Sequence, residues 1–168
     1  MFRRADLPRL DLDAPPPAGL ALWHVGDPGN VGTLLRSADA LGPAFICLSQ
    51  GCADPVGPKA LRASTGAVFR VPLGRFDDAP RPWLALVPAG GEPLERVELP
   101  ERVTLVLGAE RLGLPEDVVA RCDAAATIPE APGAASINVG VAGSIALYEW
   151  RRRLGGARAA ITTSSPPS

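Results

Sequence analysis

"LALWHVGDPGNVGTLLRSADALG", residues 20–42, reads as a strand, a glycine-bearing turn and a helix in immediate succession. Residues 20–25 form a short apolar run, as a buried strand requires. Beyond the turn, Val31, Leu34, Leu35, Ala38 and Leu41 recur at helical spacing, and Gly42 supplies a stop. The turn between them is not a nucleotide-phosphate loop. Gly29 and Gly32 do not make the G-x-G-x-x-G dinucleotide fingerprint, and Thr33 follows Gly32 with no lysine between, so a P-loop is excluded too. On local grounds Asn30 suits a helix cap, and Arg36 suits an ion pair with Asp39 three residues on.

The same alternation continues along the chain. Residues 44–49, 67–72, 83–88, 103–108 and 124–129 are strand-like apolar runs. Pro58 to Ala63 and Pro115 to Cys122 read as short helices opened by proline. Ser136 to Arg153 reads as a long helix, apolar almost all round until Tyr148. Strands apolar on both faces, alternating with helices, imply an α/β fold: an open, mostly parallel sheet covered by helices on both faces. Ligands of such sheets bind beyond the carboxyl ends of the strands. Three loops fall there, at Gly26–Gly32, Gly108–Leu114 and Pro129–Asn138.

Bulk properties bound the rest. A chain of 168 residues suits one domain with a core of its own. Hydrophobic residues at 46% and charged residues at 21% are ordinary for a globular protein. Residues 1–19 are Pro-rich and aperiodic, so a flexible arm is expected there, then a domain over 20–154 and a disordered tail over 155–168. The sequence has no apolar run long enough for a membrane span, and the N-terminus lacks the apolar stretch of a secretory signal. Cys47, Cys52 and Cys122 make no C-x-x-C pair and leave one over, which fits a reducing cytoplasm. With His24 the single histidine, no metal site is expected. Net charge is −1 and the pI about 5.8, so any affinity for nucleic acid depends on a local basic face. Candidates are Arg3, Arg4 and Arg9, then Lys59 and Arg62, then Arg151 to Arg153, each of which also reads as plain solvated surface.

The second loop, after the run ending at Leu107, holds Gly108, Glu110 and Gly113. An acid at that place can take ribose hydroxyls or pair with an arginine. The third loop carries Pro129, Pro132 and Gly133, then Ser136 and Asn138 at the mouth of the long helix, where polar side chains normally cap. That helix starts with Val139, Gly140, Val141, Ala142 and Gly143. Glycine costs helix propensity, so close packing against another backbone is the expected reason for it.

Taken in order, the three loops resemble the SPOUT class of RNA methyltransferases, and within it the SpoU/TrmH family of ribose 2′-O-methyltransferases. Asn30, Gly32, Arg36, Ser37 and Ala38 match its first motif, N-x-G-x-x-x-R-[TS]-A. Gly108, Glu110, Gly113, Leu114, Ile128 and Pro129 match the second, and Ser136, Ile137, Asn138, Val139, Gly140 and Ala142 match the third. The likeness spans residues from about 20 to about 153.

The resemblance implies a C-terminal deep trefoil knot, S-adenosylmethionine as cofactor, a homodimer with the site near its interface, and tRNA or rRNA as substrate. It implies Arg36 as the catalytic arginine, with Asn30, Glu110, Ser136 and Asn138 as the other motif polar residues. Cofactor contacts are implied for Leu86, Val87, Pro88, Gly108, Ile128, Ile137 and Asn138. An arginine is a poor base, since its pKa exceeds about 12, so Arg36 is expected to position the ribose and stabilise the developing alkoxide. Glu110 is expected to orient Arg36, within one subunit or across the dimer, and Asn30 to fix its rotamer. Many family members carry an N-terminal RNA-binding domain, for which the residues before the first strand are too few. Recognition is then expected from the dimer, from the arm and tail, or from a partner. The alternative is a non-catalytic RNA-binding relative that keeps the fold.

Overall fold

The computed structural model describes residues 4–163. Seven parallel strands form one sheet, in the order β3-β2-β1-β6-β4-β7-β5. In chain order the elements are β1 (Ala18–Leu22), α1 (Pro28–Leu41), β2 (Ala44–Leu48), α2 (Pro58–Ser64), β3 (Leu73–Arg75), β4 (Trp83–Leu86), β5 (Glu92–Pro93), β6 (Val103–Leu107), α3 (Glu116–Ala120), β7 (Ala124–Thr127) and α4 (Val139–Thr163). The expected α/β architecture is the observed one.

Strand residues alternate between two cores. Leu20, Leu22, Ile46, Leu105 and Leu107 face α1 and α4, and share their core with Leu34, Leu35, Leu147 and Trp150. Ala21, Phe45, Cys47 and Val106 face the other way, onto Phe76, Trp83 and Val118 of α3. The central strands are therefore buried on both faces, which is why they read as unbroken apolar runs.

Small residues bring the helices close. A Cβ on Gly32 of α1 would stand 2.5 Å from the Cβ of Ala63 and 2.7 Å from the carbonyl oxygen of Ala60, so α1 and α2 touch backbone to backbone there. A Cβ on Gly143 of α4 would stand 2.4 Å from the Leu34 side chain. The glycines at the start of α4 thus face α1 within this chain. Farther along, the indole N–H of Trp150 donates to the carbonyl of Glu101 (3.1 Å), and Arg153 donates to the carbonyls of Val97 and Leu94 (both 2.6 Å).

Four stretches differ most from their sequence reading; in addition, the long helix begins at Val139 rather than Ser136, and β5 left no strand signal. Residues 67–72 are not a strand: Ala67–Phe69 make a tight helical turn, and pairing begins only at Leu73. The left-handed backbone at Thr65 and Gly66 (φ 50° and 83°) reverses the chain there, and Ala67, Val68 and Val71 are buried in the core shared with α1. A short apolar run fits a buried turn as well as a strand. The first strand starts earlier and ends at Leu22, before His24 adopts a left-handed φ of 51°. Residues 7–10, expected in a loose arm, lie against the sheet edge. Leu10 donates its N–H to the Leu73 carbonyl, and Leu73 returns one to Pro8, both at 2.9 Å.

The fourth difference is the length of α4, which continues past Arg153 to Thr163. Extending a helix that is already anchored adds one hydrogen bond per residue with no new nucleation cost. That outweighs two glycines at roughly 1 kcal/mol each, and good helix formers follow them. Residues 164–168 of the expected tail lie outside the described residues.

Candidate functional site

The sheet order places a switch point between β1 and β6. From β1 the chain crosses α1 to β2 on one side, and from β6 it crosses α3 to β7 on the other. Loops leaving adjacent strands in opposite directions open a crevice beyond their carboxyl ends, where ligands of such sheets bind. The loops after β1 and β6 are two of the three picked out from the sequence.

They are tied to each other across that crevice. Glu110 accepts a hydrogen bond from the Asn30 side-chain amide (3.0 Å) and another from the backbone N–H of Asp27 (3.2 Å). Burial disfavours ionisation of Glu110, but these bonds outweigh it and hold its carboxyl below the ordinary value. The cap of α1 is Asp27, not Asn30. Its carboxylate accepts from the N–H groups of Gly29 (2.6 Å) and Asn30 (3.2 Å) and pairs with Lys59 (3.3 Å). The Lys59 bond, with those of the helix terminus, lowers the Asp27 pKa. An aspartate before Pro-Gly at a strand end is the sequence signal for this cap.

A cavity of about 350 Å³ opens beside this clamp, beyond the ends of β4, β6 and β7. Leu86, Val87 and Pro88 line it from β4. The whole turn from Leu107 to Leu114 lines it from β6, Ile128 and Glu130 from the loop after β7, and Ser136, Ile137, Val139 and Ala142 from the start of α4. Gly108 is where the turn folds back: a Cβ there would stand 2.1 Å from the backbone of Gly113. Gly113 itself has φ 65°, and its N–H donates to the Ala109 carbonyl at 2.8 Å. Across the cavity the Glu130 carboxylate accepts the N–H of Ile137 (3.0 Å). Glu130 went unmarked in the sequence, although it follows the strand-end Ile128–Pro129 much as Glu110 follows Gly108.

Of the residues singled out from the sequence, Leu86, Val87, Pro88, Gly108, Glu110, Ser136, Ile128 and Ile137 line this one cavity. Asn138 does not: its side chain caps α4, accepting from Gly140 (2.8 Å) and Val141 (3.3 Å). Asn30 stands behind Glu110 rather than on the wall.

Arg36 is on neither the wall nor the clamp. It is exposed on α1, and makes no hydrogen bond or ion pair among the described residues. Within this chain Glu110 is engaged by Asn30 and Asp27 and makes no bond to Arg36. The local alternative, an Arg36–Asp39 pair, is absent too, since Arg70 takes Asp39 at 2.6 Å. The C-terminal basic cluster is largely spent on structure as well. Arg153 holds backbone carbonyls and Glu149, and Arg151 holds the carbonyl of Gly42 at the end of α1 (2.7 Å).

No group of three or more His, Cys, Asp or Glu side chains that could hold a metal occurs among the described residues. All three cysteines are free, and burial pushes the Cys47 thiol up to about 12, so it is an inert core residue. No described helix is long and apolar enough to cross a membrane.

Comparison with known proteins points one way. The family model described as the SpoU rRNA methylase family matches residues 17–148. A tRNA/rRNA methyltransferase of Synechocystis, itself uncharacterised, is 35% identical over 153 residues, 83% of this chain and 56% of that protein. A 23S rRNA uridine 2′-O-methyltransferase of Streptomyces viridochromogenes is 32% identical, over 94% of this chain and 61% of its own length. Among solved structures, an AdoMet-bound rRNA methyltransferase from Sinorhizobium meliloti superposes with a TM-score of 0.79 at 34% identity, covering 87% of this chain and 62% of that one. The chain spans about half the length of the curated relatives it matches.

Proposed function

The chain belongs to the SpoU rRNA methylase family, and on that footing we propose that it methylates a ribose 2′-hydroxyl of tRNA or rRNA with S-adenosylmethionine. The observation that carries this reading is the convergence of the second and third motif loops and the β4 end on one cavity, with the first motif loop clamped to its edge.

The cavity suits the donor. About 350 Å³ lies in the range of small-molecule sites. Leu86, Leu107, Leu114, Ile128, Val139 and Ala142 give apolar walls for a flat heterocycle, and Glu110 and Glu130 put carboxylates beside a cationic ligand. When bound, S-adenosylmethionine supplies an electrophilic methyl group on a sulfonium. The protein's part is to exclude water with those walls and to fix the ribose in line for attack. Glu110 keeps the mouth of the crevice in shape by holding Asn30 and the start of α1. A guanidinium then stabilises the alkoxide as it develops.

That guanidinium is Arg36, and the partner subunit is the reason it stands off its own cavity. On α4, Val141, Ile145 and Tyr148 are exposed at i, i+4 and i+7, an apolar stripe beside α1. Packing of α1 against α4 puts Asn30 near Gly140 and bonds Ser37 to Ser144, so Arg36 lies along the same face. We infer a homodimer through this face, with Arg36 serving the other subunit's site. The deep trefoil knot of the family and a cytoplasmic setting belong to the same reading, supported by the family match and the free cysteines.

The test is methyl transfer from labelled S-adenosylmethionine to total RNA, followed by nucleoside analysis. 2′-O-methylnucleosides are expected with the wild type. Arg36→Ala is expected to lose on the order of 10²–10³-fold in rate with cofactor affinity unchanged. Cofactor binding without transfer to any RNA would instead favour the non-catalytic relative.

A further inference from the structure

The turn that closes the cavity carries two side chains that neither the fold nor the clamp uses. Leu112 is 90% exposed, the most exposed large hydrophobic side chain among the described residues. Arg111 beside it is exposed and makes no hydrogen bond or ion pair among them. Both line the cavity mouth.

The backbone beneath them is held firmly. The Ala109–Gly113 bridge closes the turn, Gly108 lets it fold onto the end of β6, and Glu110 pins its inner side to α1. A leucine on a pinned turn is presented to solvent at a fixed place, at an unrecovered hydration cost. The fold gains nothing from it, so the gain lies in what the leucine touches.

We propose that Arg111 and Leu112 are the docking tip for the target nucleotide of the RNA: Leu112 packs on the face of the base, and Arg111 holds a neighbouring phosphate. This rests on the RNA-methyltransferase reading above. RNA is the occupant that the chemistry favours. An unpaired guanidinium next to an apolar knob suits a strand that offers phosphates and unstacked base faces together. Apolar side chains inserted against base steps are a general device for displacing a base from its stack. A ribose presented at this mouth lies over the cavity assigned to the methyl donor.

The test compares wild type, Leu112→Ala, Leu112→Phe and Arg111→Ala. RNA affinity is measured on total tRNA and on rRNA at several salt concentrations. Methyl transfer to the same RNA, cofactor affinity by titration calorimetry and oligomeric state by light scattering are measured alongside. Leu112→Ala is expected to weaken RNA binding roughly tenfold or more, the equivalent of one leucine's burial, with oligomeric state unchanged. Leu112→Phe, which keeps an apolar surface, is expected to restore it. Arg111→Ala is expected to lower the salt dependence by about one phosphate contact.

Wild-type RNA affinity in Leu112→Ala overturns the proposal, and so does a change of oligomeric state, which would put a second copy of the chain on the tip. RNA binding that depends on Leu112 without any transfer supports the tip while removing the catalytic reading. Transfer that is indifferent to Leu112 does the reverse.

Discussion

The two halves of the sheet, meeting at the β1–β6 seam, are built differently. On the β3-β2-β1 side, α1 and α2 pack backbone to backbone at Gly32, and the ion pairs Lys59–Asp27 and Arg70–Asp39 tie α1 to its neighbours. On the β6-β4-β7-β5 side the cover is thin. Helix α3 spans only Glu116–Ala120, exposed loop fills residues 129–136, and the cavity opens between them. One half gives the fold its rigidity. The other leaves the ends of its strands open to a ligand, and the Asp27–Asn30–Glu110 clamp joins the two.

A change of similar size therefore has different consequences on each side. Gly32→Ala adds one methyl group on the rigid side. It gains about 1 kcal/mol of helix propensity, but the methyl meets Ala63 and the Ala60 carbonyl, and overpacking of that kind costs about 1–3 kcal/mol. A net loss of stability is expected in chemical denaturation, with cofactor affinity of the folded protein unchanged. A stabilised variant would show that the helices can move apart freely.

Ile128→Ala trims the open side. Ile128 is half-buried and lines the cavity, so stability should fall by only about 1 kcal/mol while affinity for S-adenosylmethionine falls roughly five- to tenfold. Titration calorimetry reads the second effect. Unchanged affinity would mean the ligand does not touch that wall.

The smallest effect concerns the anchor of α4. Hydrogen bonds from Arg152 and Arg153 hold the Glu149 carboxyl at about 2, against an ordinary value of 4.5. A lowered folded-state value adds stability above the unfolded pKa and loses it as pH falls through the folded one. Wild type is therefore expected to exceed Glu149→Gln slightly at neutral pH, with the gap closing between about pH 4.5 and pH 2. The exposure of Arg152 keeps the gap small, and salt should narrow it further. A gap that persisted at pH 2 would place the effect in packing instead.

Much of the fold could be read from apolar runs and helical spacing, because strands buried on both faces leave a strong local trace. Residues 67–72 read as a strand because a buried turn is as apolar as one. Sheet order left no local trace, since β6 is inserted between β1 and β4 by long-range pairing alone. Most cavity-lining residues followed from the family motifs. Their partners did not. Within the chain Glu110 turns to Asn30, and the arginines near the C-terminus are drawn onto backbone carbonyls, because hydrogen-bond partners are chosen by tertiary geometry that motif spacing does not encode.

Hydrogen–deuterium exchange with and without S-adenosylmethionine bears most directly on the assignment of the cavity. Protection is expected in residues 86–88, 108–114 and 128–138, with α2 and β3 unaffected. Protection confined to the β3-β2-β1 side, or none at saturating cofactor, would contradict it.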